Sequence, residues 1–271
     1  MQPPVVLTIA GSDSGGGAGI QADLKSITAN GGYATTVITA ITAQNTHEVA
    51  RVHVVPLQDV AAQIDAVCSD FSVAAVKTGM LATAEIVDLV ATRAARGDFP
   101  NLVVDPVMVS SSGDRLLAPD AVAAYRDALI PVARVVTPNR REAEVLVGRE
   151  VGTMAEMEAV AVELQALGAE MAVVKGGHPP TDLSAAGAVD VIATSVGVER
   201  LAGPWIDTTN VHGTGCSFAS ALATGLASGF ALDEAASQAK AYVAEALLGG
   251  ASWRLGAGHG PIDHFVRWRR G

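Results

Sequence analysis

Short apolar runs rich in β-branched residues alternate along this chain with segments whose apolar residues recur at helical spacing. The runs predict strands at residues 5–10, 34–40, 74–77, 102–105, 133–136 and 171–175. The segments between them predict helices at residues 20–30, 57–70, 84–96, 119–130, 141–147 and 154–167, with Pro119 and Thr153 at helix starts. This alternation favours an α/β fold with a doubly wound, mostly parallel sheet flanked by helices.

The pattern changes in the last third of the chain. Residues 188–194 and 197–201 are joined by a short turn and predict an antiparallel hairpin at the sheet edge. Residues 216–230 and 232–248 then predict two helices, and the glycine-rich stretch 254–261 predicts a surface loop. No repeat or linker interrupts the chain, so we expect one domain over residues 1–271.

Composition narrows the class of protein. Apolar residues make up 49% and charged residues 17%, which favours a buried parallel sheet. The net charge of −10, without an internal basic cluster, argues against nucleic acid as a partner. Two distant cysteines allow neither a disulfide framework nor a zinc site. With no signal peptide and no membrane-length apolar stretch, the expected location is the cytoplasm, away from membranes.

Polar, ligand-type residues follow five of the predicted strands, where a doubly wound sheet binds its ligands. The five stretches are residues 11–19, 77–80, 105–108, 137–139 and 175–178. The first is glycine-rich, but it fits neither the dinucleotide fingerprint nor the Walker loop. It therefore predicts a loop lying close to a ligand, followed by Asp23, for which a helix-dipole partner is the ordinary alternative.

The Gly213-Thr214-Gly215 turn precedes an apolar helix. Glycines let several backbone N–H groups converge, and the helix N-terminus adds positive potential, so the turn predicts an anion site. The alternative is a turn needed only for close packing. Cys216 stands at the helix start, where the dipole and a nearby Lys175 predict a lowered thiol pKa and a reactive thiolate.

Four further residues carry candidate chemistry. Asp105 and Glu142 could hold hydrated Mg²⁺ between two strand ends, although Glu142 also fits a helix cap. Lys175 suits nucleotide phosphates, with a solvent-facing lysine as the alternative. Gln44 can donate and accept at the edge of a heteroaromatic ring, or simply cap a loop.

These motifs together resemble one family. The chain is similar to hydroxymethylpyrimidine/phosphomethylpyrimidine kinase of thiamine biosynthesis, in the ribokinase superfamily. The similarity covers nearly the whole chain and rests on residues 10–25, 44–46, 77–80, 105–108, 138–144, 175–178, 212–216 and 258–261.

The resemblance implies a ribokinase-like fold, a homodimer, and use of ATP with Mg²⁺. It implies phosphorylation of 4-amino-5-hydroxymethyl-2-methylpyrimidine and then of its monophosphate. Residues implied at the pyrimidine are Gln44, Gly11, Asp23, Met80 and Val107. Residues implied at the phosphates, ATP and metal are Gly213, Thr214, Gly215, Asn139, Lys175, Lys240, Asp105 and Glu142, with Cys216 in the place of the catalytic base.

The chain departs from the family pattern at His47-Glu48-Val49, where a glycine is usual, and at Arg140-Arg141. Two alternatives to this function stay open at the level of sequence. One is pyridoxal kinase, because pyridoxal also carries a hydroxymethyl group on its ring. The other is a non-catalytic pyrimidine- or vitamin-binding protein on the same fold.

Overall fold

The computed structural model describes residues 2–108, 121–177 and 187–269. Nine strands form one sheet in the order β3-β2-β1-β4-β5-β6-β7-β8-β9. The strands are β1 (Val5–Ser12), β2 (Tyr33–Gln44), β3 (Val49–Val54), β4 (Val73–Thr78), β5 (Val103–Val104), β6 (Val135–Val136), β7 (Met171–Val174), β8 (Ala188–Thr194) and β9 (Gly197–Gly203). Parallel pairing joins β2, β1, β4, β5, β6 and β7, whereas β3, β8 and β9 pair antiparallel with their neighbours.

Helices cover both faces of the sheet. They are α1 (Gly19–Ala29), α2 (Leu57–Asp70), α3 (Ala84–Ala95), α4 (Ala121–Ala124), α5 (Arg140–Val147), α6 (Met154–Ala166), α7 (Thr214–Ala227), α8 (Leu232–Gly250) and α9 (Val266–Arg269). After α4 the chain continues as a π-helical turn and a 3-10 turn up to Val132. None of the helices in the described ranges is long and apolar enough to cross a membrane.

The predicted mostly parallel α/β sheet and its antiparallel edge hairpin are confirmed. The predicted helix at 119–130 is described from Ala121 onward, so Pro119 lies outside the described residues. The sequence prediction missed β3 and α9. Because β3 is an edge strand with almost every residue exposed, it has no buried face and hence no alternation to detect.

Alternating strand residues face two separate cores. Val6, Ala75, Val103, Val135 and Val173 pack against α1, α7 and α8. Their immediate successors on the same strands pack on the opposite face, against the core that includes α2, α3, α5 and α6. The α7 face is thus built from every second residue of five neighbouring parallel strands.

The same alternation continues beyond the apolar part of each strand. It directs five polar residues to the α7 face at one edge of the sheet: Thr8, Lys77, Asp105, Thr137 and Lys175. Their contacts confirm this, because Thr8 and Lys77 bind Asp23 of α1 while Thr137 and Lys175 bind Asp105. We call these five residues the polar row.

One end of the polar row is a fully buried ion pair. Lys77 Nζ lies 2.9 Å from both carboxylate oxygens of Asp23, and neither side chain is exposed. Thr8 Oγ1 and Ser220 Oγ donate to the same carboxylate at 2.6 and 2.8 Å. Burial opposes the charge on Lys77, but Asp23, with help from Asp105, holds the lysine pKa above its ordinary value. The pair therefore joins β1, β4, α1 and α7.

This ion pair generates a stability prediction. We expect Lys77→Met to destabilise the protein by about 3–5 kcal/mol, because it leaves the Asp23 carboxylate buried without a cation. The double variant Asp23→Asn/Lys77→Met should recover most of this loss, since no uncompensated charge remains. Urea denaturation measures both. Arg200→Met is the control, because the Arg200–Glu158 pair is exposed and worth less than about 1 kcal/mol. A Lys77→Met loss no larger than the control's would contradict the prediction.

Candidate active site

The start of α7 forms a turn suited to an anion. Gly213 precedes the helix with φ 86°, a left-handed conformation that glycine adopts readily, and no side chain caps the first turn. The first N–H groups of a helix have no intrahelical partner, so this end offers donors and a positive dipole. A Cβ on Gly213 would also collide with the carbonyl oxygen of Gly17. We call His212–Gly215 the anion loop.

The anion loop lies beside the other end of the polar row. Lys175 Nζ is 2.7 Å from Asp105 Oδ1, which also accepts a hydrogen bond from Thr137 Oγ1 at 3.2 Å. A Cβ built on Gly215 would stand 3.1 Å from Lys175 Nζ and 3.8 Å from Asp105 Oδ2. The structure thus brings Lys175, Asp105 and the predicted Gly-Thr-Gly turn together at one place.

Glu142 and Asn139 form the cap that the sequence offered as an alternative. Asn139 Oδ1 accepts from Glu142 N at 3.0 Å, and Glu142 Oε2 accepts from Asn139 N at 2.7 Å. Burial raises the pKa of Glu142 to about 7; Lys175 acts against this shift, whereas Asp105 adds to it. Glu142 therefore caps α5 and also lies within electrostatic reach of Asp105 and Lys175.

Lys240 reaches the same edge of the sheet by way of β8. Its Nζ lies 2.8 Å from Asp190 Oδ2, and Asp190 Oδ1 accepts from Gly176 N at 2.9 Å. Gly176 directly follows Lys175. Lys240 is thus joined through one carboxylate to the backbone after Lys175, and its ammonium is engaged in this pair.

Three residues predicted at the pyrimidine gather in a small apolar cluster. Met80 is packed with Ala40 and Ala82, and Val107 lies against them. A Cβ on Gly11 would be 3.1 Å from Met80 Sδ. Gln44 is the last residue of β2, which lies next to β1. Its backbone N–H and C=O both bond Ser14 Oγ. Its Oε1 accepts from Thr42 Oγ1 at 3.2 Å, and its amide nitrogen has no partner among the described residues.

Asp23 occupies a different position from the one that the resemblance implies. The carboxylate is fully buried and bound by Lys77, Thr8 and Ser220, so it does not reach the surface that Met80 and Val107 form. Neither is it merely a helix-dipole partner. The sequence offered no sign of Lys77 as its counterion, because the two residues lie on separate elements, α1 and β4.

The predicted thiolate at Cys216 is wrong for this structure. Burial raises the pKa of the Cys216 thiol to about 12; Lys77 lowers it, but Asp23 and Asp105 raise it. The thiol is only partly exposed. The helix N-terminus and the lysines do not produce a reactive thiolate, because Lys77 is neutralised by Asp23 and Lys175 by Asp105.

Sequence reasoning also missed Asp13 and His212, which join the glycine-rich loop to the anion loop. His212 Nε2 lies 2.8 Å from Asp13 Oδ2. The N–H groups of Gly15, Gly17 and Ala18 donate to the same carboxylate at 2.8–3.0 Å. Burial opposes the charge on Asp13, but His212 and these N–H groups lower its pKa below the ordinary value. An aspartate within a run of glycines was the available signal.

The Cys216 pKa can be measured by iodoacetamide labelling. Because only the thiolate reacts, we expect the labelling rate to rise about tenfold per pH unit from pH 7 to 9.5 without a plateau. Mass spectrometry of the Cys216 peptide gives the rate. Cys68 is the internal control, since burial also raises its pKa and it lies away from the polar row. A plateau for Cys216 below pH 8 would show that its thiol is activated.

Comparison with known proteins agrees with this arrangement. The family model described as phosphomethylpyrimidine kinase matches residues 13–263. A hydroxymethylpyrimidine/phosphomethylpyrimidine kinase from Rhizobium meliloti (strain 1021) is 49% identical over 265 residues, covering 97% of this chain and 98% of the relative. The family match therefore includes the anion loop and every residue of the polar row except Thr8.

Solved structures show the same fold. An ADP complex of Bacillus subtilis pyridoxal kinase superposes with a TM-score of 0.89 at 36% identity, covering 99% of this chain and 100% of that one. A phosphomethylpyrimidine kinase from Clostridium difficile 630 gives a TM-score of 0.77 at 39% identity, covering 90% and 99%. On the family match and these likenesses, the chain belongs to the phosphomethylpyrimidine kinase family.

Proposed function

We propose that this protein is an ATP-dependent kinase that phosphorylates 4-amino-5-hydroxymethyl-2-methylpyrimidine, and then its monophosphate, in thiamine biosynthesis. The observation that carries the proposal is the position of Cys216. It directly follows the anion loop in the first turn of α7, and its neighbour Gly215 lies beside Lys175 and Asp105. The family membership and the relative from Rhizobium meliloti support the substrate class.

Gln44, Gly11, Met80 and Val107 would bind the pyrimidine ring. The apolar cluster around Met80 suits a flat heterocycle, and the Gln44 amide nitrogen is available to donate to a ring nitrogen. Asp23 supports this site through Lys77. The Nζ atom of Lys77 would be 2.8 Å from a Cβ on Gly79, the residue next to Met80. The substrate hydroxymethyl group would then point toward Cys216.

The anion loop and Lys175 would stabilise the charge that develops on the transferred phosphoryl group. Phosphoryl transfer depends mainly on positioning and electrostatic stabilisation. The N–H groups that follow Gly213 supply fixed dipoles, and Lys175 supplies a cation whose pKa is held high by Asp105 and Glu142 against the effect of burial. Cys216 would orient the substrate hydroxyl as a neutral hydrogen-bonding group and not act as a preformed thiolate.

Asn139, Lys175 and Lys240 are the residues we assign to ATP. Lys175 N donates to Pro138 O, so the backbone of Lys175 lies against that of Asn139. Lys240 follows through Asp190 and Gly176. The ADP complex of the Bacillus subtilis relative supports a nucleotide substrate on this fold.

Asp105 and Glu142 fit a magnesium ion. Both carboxylates are buried, and Mg²⁺ prefers such oxygen donors together with substrate phosphates. Asp105 Oδ2 has no hydrogen-bond partner among the described residues. When bound, the ion would offset negative charge on the nucleotide phosphates. Burial and the nearby Asp105 raise the pKa of Glu142, and a cation bound between the two carboxylates would lower it.

Pyridoxal is the second candidate substrate. The observation that favours it is the fold likeness to Bacillus subtilis pyridoxal kinase, whose identity of 36% is below that of the Rhizobium meliloti relative. A non-catalytic binding protein is disfavoured by the buried Lys175–Asp105 pair beside the anion loop, because ring binding alone does not need it.

We also propose a cytoplasmic homodimer that acts as a single domain. All nine strands of the described ranges belong to one sheet, which supports one domain. The edge strand β3 is exposed, and its Val52 and Val54 offer an apolar edge for a second copy. Both cysteines are free thiols, as expected in a reducing compartment.

Substitution of Gln44 tests the pyrimidine assignment. We expect Gln44→Leu to raise the KM for the pyrimidine by about 5–150-fold, because it removes a donor and an acceptor worth about 1–3 kcal/mol. ATP consumption with the pyrimidine, with pyridoxal and with neither gives the rates. Gln58→Leu, at an exposed position of α2, is the control. If only pyridoxal is consumed, the second candidate is correct, and if neither is consumed, the protein is not this kinase.

Substitution of Glu142 tests the metal assignment. We expect Glu142→Gln to lower kcat and shift the Mg²⁺ titration to higher concentration, because a carboxylate ligand is lost. Glu156→Gln is the matched control, since Glu156 forms the corresponding capping box at Thr153 but is exposed. If Glu142 serves only as a cap, both variants will lose thermal stability and neither will change the Mg²⁺ dependence.

A further inference from the structure

Residues 254–262, between α8 and α9, lie across two loops of the proposed site; we call them the C-terminal strap. One of these is the 44–48 loop, which consists of Gln44 at the end of β2 and the four residues that lead to β3. His259 N donates to the Thr46 carbonyl at 2.9 Å, and Gly258 N donates to Thr46 Oγ1 at 3.1 Å. Both hydrogen bonds of Thr46 in the described part of the chain go to the C-terminal strap.

The strap also contacts the anion loop. His212 N donates to Gly260 O at 3.1 Å, and His212 forms a parallel bridge with Pro261. Asn210 Nδ2 donates to the carbonyl oxygens of Gly250 and Trp253, which precede the strap, at 2.8 and 2.9 Å. One continuous segment therefore sets the distance between the 44–48 loop and the anion loop.

The contact with the 44–48 loop leaves no free space. A Cβ on Gly258 would collide with the Thr46 carbonyl oxygen and stand 2.7 Å from its carbon, which is backbone and cannot rotate away. The φ of Gly258 is outside the left-handed region, so alanine itself would not be strained there. Substitution at this position therefore tests the contact between the loops and not the backbone conformation.

The 44–48 loop is held from two sides. On one side Ser14 Oγ bonds the backbone of Gln44 through both its N–H and its carbonyl. On the other side the strap holds Thr46, two residues further along. Within the loop, Asn45 Oδ1 accepts from the N–H groups of His47 and Glu48. A shift of Thr46 is thus passed to Gln44 across a single intervening residue.

We propose that the C-terminal strap positions Gln44 for the pyrimidine, with Gly258 and Thr46 as the positioning residues. This inference rests on the proposed function, because it assigns Gln44 to the acceptor substrate. Gly258 and Thr46 do not touch the reacting atoms in this assignment. They fix where the Gln44 side chain stands relative to the Met80 cluster and the anion loop.

The test compares Gly258→Ala with Gly152→Ala. Gly152 also has an ordinary φ, and a Cβ there would meet only Glu156 Oε2 at 3.7 Å. We expect Gly258→Ala to raise the KM for the pyrimidine about tenfold, with kcat and the KM for ATP within about twofold of wild type, because misplacing Gln44 weakens binding of the acceptor alone. Gly152→Ala should change none of these.

A second pair of variants covers the case in which Gly258→Ala fails to fold. Thr46→Val keeps the shape of the side chain but removes the acceptor for Gly258 N, and we expect a rise of about threefold to tenfold in the KM for the pyrimidine. Thr46→Ser keeps the hydroxyl and should stay near wild type. An equal rise in both KM values, or a fall in kcat alone, would overturn the proposal.

Hydrogen exchange gives a readout that does not depend on activity. We expect faster exchange of the peptide covering residues 44–49 in Gly258→Ala and Thr46→Val, with Gly152→Ala like wild type. Unchanged exchange in both Gly258→Ala and Thr46→Val would show that the strap does not hold this loop. If exchange changes as expected but wild-type protein does not phosphorylate the pyrimidine, the strap contact stands and the proposed function fails.

Discussion

Every buried charge at the carboxyl edge of the sheet has to find a partner of opposite sign, and this requirement governs the site. The strand alternation that packs the α7 face with valine and alanine also brings Lys77, Asp105 and Lys175 to that face. An isolated buried charge costs several kcal/mol, so each of these residues is stable there only when paired. Asp23 neutralises Lys77, and Asp105 neutralises Lys175.

Charge pairing determines the state of the reactive groups. Cys216 stands at a helix N-terminus near two lysines, a combination that ordinarily lowers a thiol pKa. Here each lysine is already neutralised, so burial prevails and the thiol pKa rises to about 12. Burial raises the pKa of Glu142 to about 7, with Asp105 adding to the shift and Lys175 opposing it. Asp105 and Glu142 therefore share the charge of one lysine, Lys175.

The loops around the polar row depend on one another. Asp13 bonds three N–H groups of the glycine-rich loop and His212 of the anion loop. The C-terminal strap in turn bonds His212 and Thr46. Loops generally vary more than the elements they connect, but these are held to each other by backbone hydrogen bonds over large sequence distances. The 44–48 loop and the anion loop are thereby fixed in relative position.

The sequence by itself determined the fold class, the strand ends that carry polar residues, and the family. These follow from local signals: hydrophobic period, glycine-rich turns, and motifs that lie within a few residues of one another. Parallel strands end at one edge of the sheet, so Lys175 and Asp105 could be predicted to lie there, near the Gly213 turn. The tertiary structure alone decided which charges pair. Asp23 with Lys77, and Asp13 with His212, are separated by 54 and 199 positions. The pKa of Cys216 depends on burial and on Lys77, Asp23 and Asp105, so no local pattern around Cys216 could have revealed it.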